Sequence, residues 1–195
     1  MLTHRARKIG SAPGLRALRV FLLIAAVALP LAAAGPVAAG SRAVETHCVE
    51  QVVGETPAGQ FLTESLGCYG SFAKAVAVAS GGTVDLAPET SGTAALTDPE
   101  VAGVLATFTL GIHYDGYNGT GSSITITGSN CSGGYWNTSS WWDNRISSSY
   151  NGCQRLIHYD FPNLGGGAQH TVGAGAIHNL TLFSNRTESV QYLSS

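Results

Sequence analysis

Ile112-His113-Tyr114-Asp115 occurs again as Ile157-His158-Tyr159-Asp160, and the match continues beyond the four letters. The first copy reads IHYDGYNGTGSSITITG and the second IHYDFPNLGGGAQHTVG, so Asn118 answers to Asn163 and Gly121 to Gly166, each glycine being followed by a strand-like alternating run. Further on, Asp143-Asn144-Arg145-Ile146-Ser147-Ser148 is matched more loosely by Ser184-Asn185-Arg186-Thr187-Glu188-Ser189. A repeat of roughly 40 residues, rich in turns and poor in helical runs, predicts two similar β-units packed on one another, because one such unit cannot bury its own apolar face. Two copies are enough to close a small sandwich, whereas a solenoid needs more.

Within each copy the period is two. Ile112 and Tyr114 point one way and His113 the other, and Ile157, Tyr159 and His158 repeat this. The histidines are therefore expected on the polar face, toward solvent or the rim of the sheet. Gly119, Gly121, Gly165 and Gly166 fall where a hairpin folds over tightly and positive φ is needed.

Toward the N-terminus the texture changes. Residues 1–39 read as an export signal, with basic residues from Arg5 to Arg19, an apolar core from Val20 to Ala34, and small residues at Val37 and Ala39 that suit cleavage after Ala39. The apolar run is interrupted at Pro30 and falls short of the about 20 residues a membrane span requires, so no membrane association is expected after cleavage. Removing this segment leaves five cations, Arg42, Lys74, Arg145, Arg155 and Arg186, against twelve acids, a net charge of −7. Nucleic acid is excluded as a partner by the lack of a basic stripe. Cys48, Cys68, Cys131 and Cys153 in an exported chain point to two disulfides. Three pairings are possible, and the sequence-local one, Cys48 with Cys68 and Cys131 with Cys153, keeps each bridge inside one compositional segment.

Residues 40–103 are expected to be an N-terminal extension. Phe72, Ala75, Val76 and Ala79 recur at helical spacing between a capping Ser71 and a stop at Gly81-Gly82. A short strand is expected over 83–87, and 88–99, rich in Thr, Ser, Gly and Pro, reads as a linker. Residues 104–195 then form the duplicated domain.

These features together resemble the βγ-crystallin family, and in particular its secreted actinobacterial members. Tyr114 to Ser122 resembles that family's folded hairpin, Tyr159 to Gly166 a second one, and Trp142-Asp143-Asn144-Arg145-Ile146-Ser147-Ser148 its Trp-Asn-Asp-x-x-Ser-Ser stretch. The resemblance implies a mainly β, double Greek-key sandwich with a short N-terminal helical extension. It also implies a calcium site built from the side chains of Asn144 and Ser147 and the carbonyl of Arg145, with Glu188 at the position equivalent to Ser147. Ca²⁺ accepts such oxygens, but neutral ligands make a weak site, of the order of 10⁻⁴ M or poorer. The same six residues could instead be a structural turn whose serine hydroxyls bond backbone groups.

Trp136 and Trp141, between Cys131 and Cys153, form a candidate interaction patch, with core packing as the competing reading, and Trp142 belongs to the core in the family pattern. No H-E-x-x-H, G-x-S-x-G or G-x-x-x-x-G-K motif occurs, so no catalytic residue is assigned. The expectation is thus a secreted, extracellular, monomeric, non-enzymatic protein with calcium as its one weak cofactor. The resemblance adds two alternatives: an inhibitor of a metalloprotease, and a killer-toxin-like antimicrobial protein acting on a cell-surface target.

Overall fold

Ten strands in two sheets dominate the described residues. The computed structural model describes residues 44–195, and the export signal expected over 1–39 lies outside the described residues. In order these are β1 (His47–Glu55), β2 (Phe61–Tyr69), α1 (Phe72–Ala79), α2 (Gly92–Thr97), α3 (Pro99–Leu105), β3 (Thr109–Tyr114), β4 (Ser123–Thr127), β5 (Ser132–Asn137), β6 (Ser148–Asn151), β7 (Arg155–Phe161), β8 (Gly165–Val172), β9 (Ile177–Asn179) and β10 (Ser189–Leu193). The first sheet runs β2-β1-β4-β3-β6-β9 and the second β5-β10-β7-β8.

The duplication is visible in this order. β3, β4 and β6 of the first copy correspond to β7, β8 and β10 of the second, and each copy sends its remaining strand to the other sheet: β5 pairs with β10, and β9 with β6. The registers agree pair by pair. Tyr114 lies opposite Ser148 as Tyr159 lies opposite Ser189, and Ser148 lies opposite Asn179 as Ser189 lies opposite Asn137. Exchange of a strand makes each sheet incomplete without the other copy.

Between the sheets lie Leu110, Ile124, Ile126, Trp136, Trp142, Ile146, Leu156, Val190 and Tyr192. Burial of such side chains contributes about 1.5–3 kcal/mol each. The outer face of the first sheet carries Ile112, Tyr114 and Tyr150, which pack under Phe72, Val76, Ala95, Leu96, Ala102 and Leu105 of the three helices. The Tyr150 hydroxyl fastens this layer by donating to the Ala102 carbonyl at 2.6 Å.

Residues 44–103 are more integral than an extension. β1 runs parallel to β4, with Cys48 beside Ile124, and antiparallel to β2, with Cys48 opposite Cys68. Val104, where the duplicated domain was expected to begin, lies inside α3, and the described residues 44–195 belong to one compact unit. The expected helix is present, with Ser71 accepting from the Lys74 amide. The strand expected over 83–87 is absent, and Val84 instead packs into the helical layer. The expected linker folds into α2, capped by Ser91, and leads into α3, capped by Asp98 with Pro99 in its first turn. Each cap supplies a side-chain oxygen to an amide that the helix start leaves unbonded. The disulfides are Cys48–Cys68 and Cys131–Cys153.

The expected direction of the histidines is corrected. Strand alternation holds, but His113 and His158 are both fully buried between the sheets. Alternation defines two faces and does not say which is inside. On β3 both faces are covered, and on β7 the histidine side is the covered one while Tyr159 is only half-buried.

Candidate functional site

The two signature turns, 143–148 and 184–189, meet each other back to back. The Asn144 amide donates to the Thr187 carbonyl at 3.1 Å, and the Asn185 amide to the Ile146 carbonyl at 2.9 Å, equivalent bonds with the copies exchanged. Both asparagines sit at φ 56, a left-handed conformation that asparagine tolerates because its short polar side chain bonds locally. Ion pairs tie each turn to its own hairpin: Arg145 to Asp115 at 3.3 Å, and Arg186 to Asp160 at 2.7 Å.

The last serine of each signature holds the hairpin shut. Ser148 Oγ donates to the Gly116 carbonyl at 2.6 Å and accepts from the Gly119 amide, while Ser189 Oγ donates to the Phe161 carbonyl at 2.7 Å and accepts from the Leu164 amide. Gly121 is required where the hairpin folds back, since at φ 79 an added Cβ would stand 2.1 Å from Asp115 Oδ1. Gly166, at φ 76, is the counterpart. The turn expected from serine hydroxyls bonding backbone groups is thus present at the sixth position.

The second and fifth positions pair across the copies. Asn144 Nδ2 donates to Glu188 Oε1 at 2.9 Å, whereas Ser147 Oγ lies 3.0 Å from Ser184 Oγ and donates to Asn185 Oδ1 at 3.3 Å. The expected ligands Asn144 and Glu188 are therefore together, while Ser147 belongs with Asn185 at the equivalent place of the other copy. Asp143 joins the Asn144 end, where the Thr138 hydroxyl lies 3.4 Å from Asp143 Oδ1 and 3.1 Å from the Glu188 carbonyl. Neither Asp143 nor Glu188 is in an ion pair among the described residues. The Arg145 side chain is directed elsewhere, to Asp115 and over the Trp141 ring at 4.0 Å. No group of three His, Cys, Asp or Glu that would hold a metal occurs among the described residues. A cation here would rely on amide, hydroxyl and carbonyl oxygens besides the two carboxylates, which suits a hard ion and gives a weak site.

The expected aromatic patch divides. Trp136 is buried in the core, a correction, because β5 joins the second sheet and turns that indole inward. Trp141 is 44 % exposed and forms a T-shaped pair with the buried Trp142, ring centroids 4.9 Å apart.

A chain of polar side chains that includes both histidines runs through the middle of the sandwich. Tyr192 OH meets His113 Nε2 at 2.8 Å, His113 Nδ1 meets Ser149 Oγ at 2.8 Å, and Ser149 Oγ meets His158 Nε2 at 2.9 Å. The His113 ring stacks on Trp136, whose Nε1 donates to Glu50 Oε2 at 3.0 Å. One direction of donation, from tyrosine to His113 to serine to His158, satisfies every bond with both imidazoles neutral. The remaining proton sits on His158 Nδ1, beside the Gln169 backbone but outside hydrogen-bonding geometry. Burial, reinforced by His158, holds His113 well below the usual histidine range, and burial pushes His158 down to about 3. His113, Ser149, His158 and Tyr192 are all shielded from solvent. Comparison with protein-family models, with curated proteins and with solved structures finds no match to this chain.

Proposed function

We propose that this chain is an exported, non-enzymatic protein of the βγ-crystallin type, a double Greek key whose Asn144–Glu188 end binds one calcium ion weakly. The observation that carries the reading is the strand exchange between copies together with the reciprocal bonds of Asn144 and Asn185. The disulfides suit an oxidising, extracellular setting, and no helix among the described residues is long and apolar enough to cross a membrane. At the calcium end, Glu188 supplies the carboxylate and Asn144 the amide oxygen, with Asp143 adjacent. The equivalent end offers Ser147, Ser184 and Asn185 and no carboxylate, so a single ion is expected. Binding would tie the two copies together where their turns meet, which makes stabilisation its role.

Calorimetric titration of residues 40–195 tests this. Heat corresponding to a Kd of about 10⁻⁴ M or poorer is expected, abolished in Glu188→Gln, with a rise in thermal midpoint at millimolar Ca²⁺. Neither heat nor a midpoint shift at about 10 mM Ca²⁺ would remove calcium from the proposal. The inhibitor reading draws less support. Between Cys131 and Cys153 the chain forms β5 and β6 and buries Trp136 and Trp142, so that the candidate inhibitory loop reduces to 138–145 around Trp141.

A further inference from the structure

β1 and β2 carry the first sheet two strands beyond those that have counterparts in the second copy. Trp136 of the edge strand β5 reaches β1, donating to Glu50. Alongside lies a cleft of about 290 Å³, with Cys48, Glu50, Ser65 and Cys68 of β1 and β2 among its walls and Trp141 and Trp142 facing them. Thr46 and Ser139 add hydroxyls to the lining. The geometry points to this cleft as a binding site for a neutral sugar ring of a glycan chain.

The lining fits that chemistry and disfavours others. A pyranose presents C–H groups on its faces and hydroxyls around its edge. Trp141, 44 % exposed, and the Cys48–Cys68 bridge offer apolar surface to the faces. Glu50, Ser65, Thr46 and Ser139 offer acceptors and donors to the edge. Glu50 Oε2 already accepts from Trp136 and Thr63, which fixes the carboxylate in place, and Oε1 takes part in none of these bonds.

Anions are repelled, because Glu50 is the one charged residue in the lining and the described chain is acidic. Cations are disfavoured too. The Arg145 guanidinium already sits over the Trp141 ring at 4.0 Å and draws on its negative face, so a second cation on the same ring gains little. Trp142 Nε1, buried in the wall, has no hydrogen-bond partner among the described residues, a donor that a ligand oxygen or a shift of the 139–142 turn would satisfy. At about 290 Å³ the cleft is large enough for one pyranose ring.

The test uses residues 40–195, with tryptophan fluorescence and calorimetry. The probes are soluble oligomers of glucose and of N-acetylglucosamine, and the protonated glucosamine oligomer. The wild type should bind at least one neutral oligomer at millimolar concentration or below. Trp141→Ala should weaken binding by about tenfold or more, equivalent to about 1.4 kcal/mol, while leaving the thermal midpoint nearly unchanged. Glu50→Gln, which keeps an acceptor for Trp136, should weaken it less. Three results would overturn the proposal: no neutral oligomer binding at about 10 mM, unchanged affinity in Trp141→Ala, or preference for the protonated oligomer. Calcium titration of the Trp141→Ala variant is independent of all three, so failure of this site and failure of the ion site can be told apart.

Discussion

Acidification should destabilise this protein through its two central histidines. His113 and His158 are fully buried and bonded as neutral rings, and their proton affinities are held below the ordinary value by burial. In the unfolded chain both revert to about 6.5. Above that pH neither state carries the protons and the stability is fully present. As pH falls below it, the unfolded chain takes up a proton at each ring and the folded chain does not, so stability is lost. For His158, held down to about 3, the loss is about 1.4 kcal/mol at pH 5.5 and about 2.7 kcal/mol at pH 4.5, and His113 adds to it in the same direction. Set against a total of about 5–15 kcal/mol for a domain, the loss at pH 4.5 is a large fraction of the stability. His47, buried and bonded to Ser123 Oγ, adds in the same direction, since burial outweighs the pull of Glu45 and Asp115 on its proton. The groups facing His113 are Ser149, Tyr192, Trp136 and His158, and none offers a negative charge to a protonated ring. Urea unfolding followed by tryptophan fluorescence at about pH 7.5 and pH 5.5 reads the difference directly, and NMR of the imidazole protons identifies its source. A folded chain whose urea midpoint does not move over that interval, or whose His113 and His158 resonances titrate near 6.5, would refute the reasoning.

Two further outcomes follow from the packing. Trp136→Ala should lose about 3–5 kcal/mol in chemical denaturation, because it leaves a large cavity and strips Glu50 of a donor, whereas Trp141→Ala should change stability by less than about 0.5 kcal/mol. Equal losses would contradict the division of the two indoles between core and surface. Ser148→Ala and Ser189→Ala should each cost about 1–3 kcal/mol, since each removes the partner of a hairpin carbonyl and of a hairpin amide, and the two losses should be similar. A loss in only one of them, measured by thermal unfolding, would argue against equivalence of the copies.

Much of the duplicated half was legible because its cause is local. The repeated Ile-His-Tyr-Asp, the asparagines at 118 and 163, and the glycines at 121 and 166 are demands of a hairpin that folds back on its own aspartate, so they recur wherever the hairpin does. The helix at 72–79 was legible for the same reason, its cap and its stop being neighbours in sequence. β1 and β2 were not. Their alternation is weak, with Val53 and Leu62 exposed; β1 is held in the sheet by parallel pairing with β4, far along the chain, and β2 only through its pairing with β1. The linker at 88–99 became helical because Leu96 and Ala95 found an apolar sheet face to cover.

The candidate site divides along the same line. Which residues belong to the signature is written in the chain, but that Asn144 meets Glu188 while Ser147 meets Asn185 depends on the two copies turning back to back. The sequence by itself determined a twofold-repeated β-rich half, because turn chemistry and side-chain period act over a few residues, and it left three disulfide pairings open with the sequence-local one preferred. Only the tertiary structure decided which face of each strand is inside, that the histidines are core, and that the overhang of β1 and β2 opens a cleft beside Trp141, because burial is a property of what lies opposite and not of what comes next.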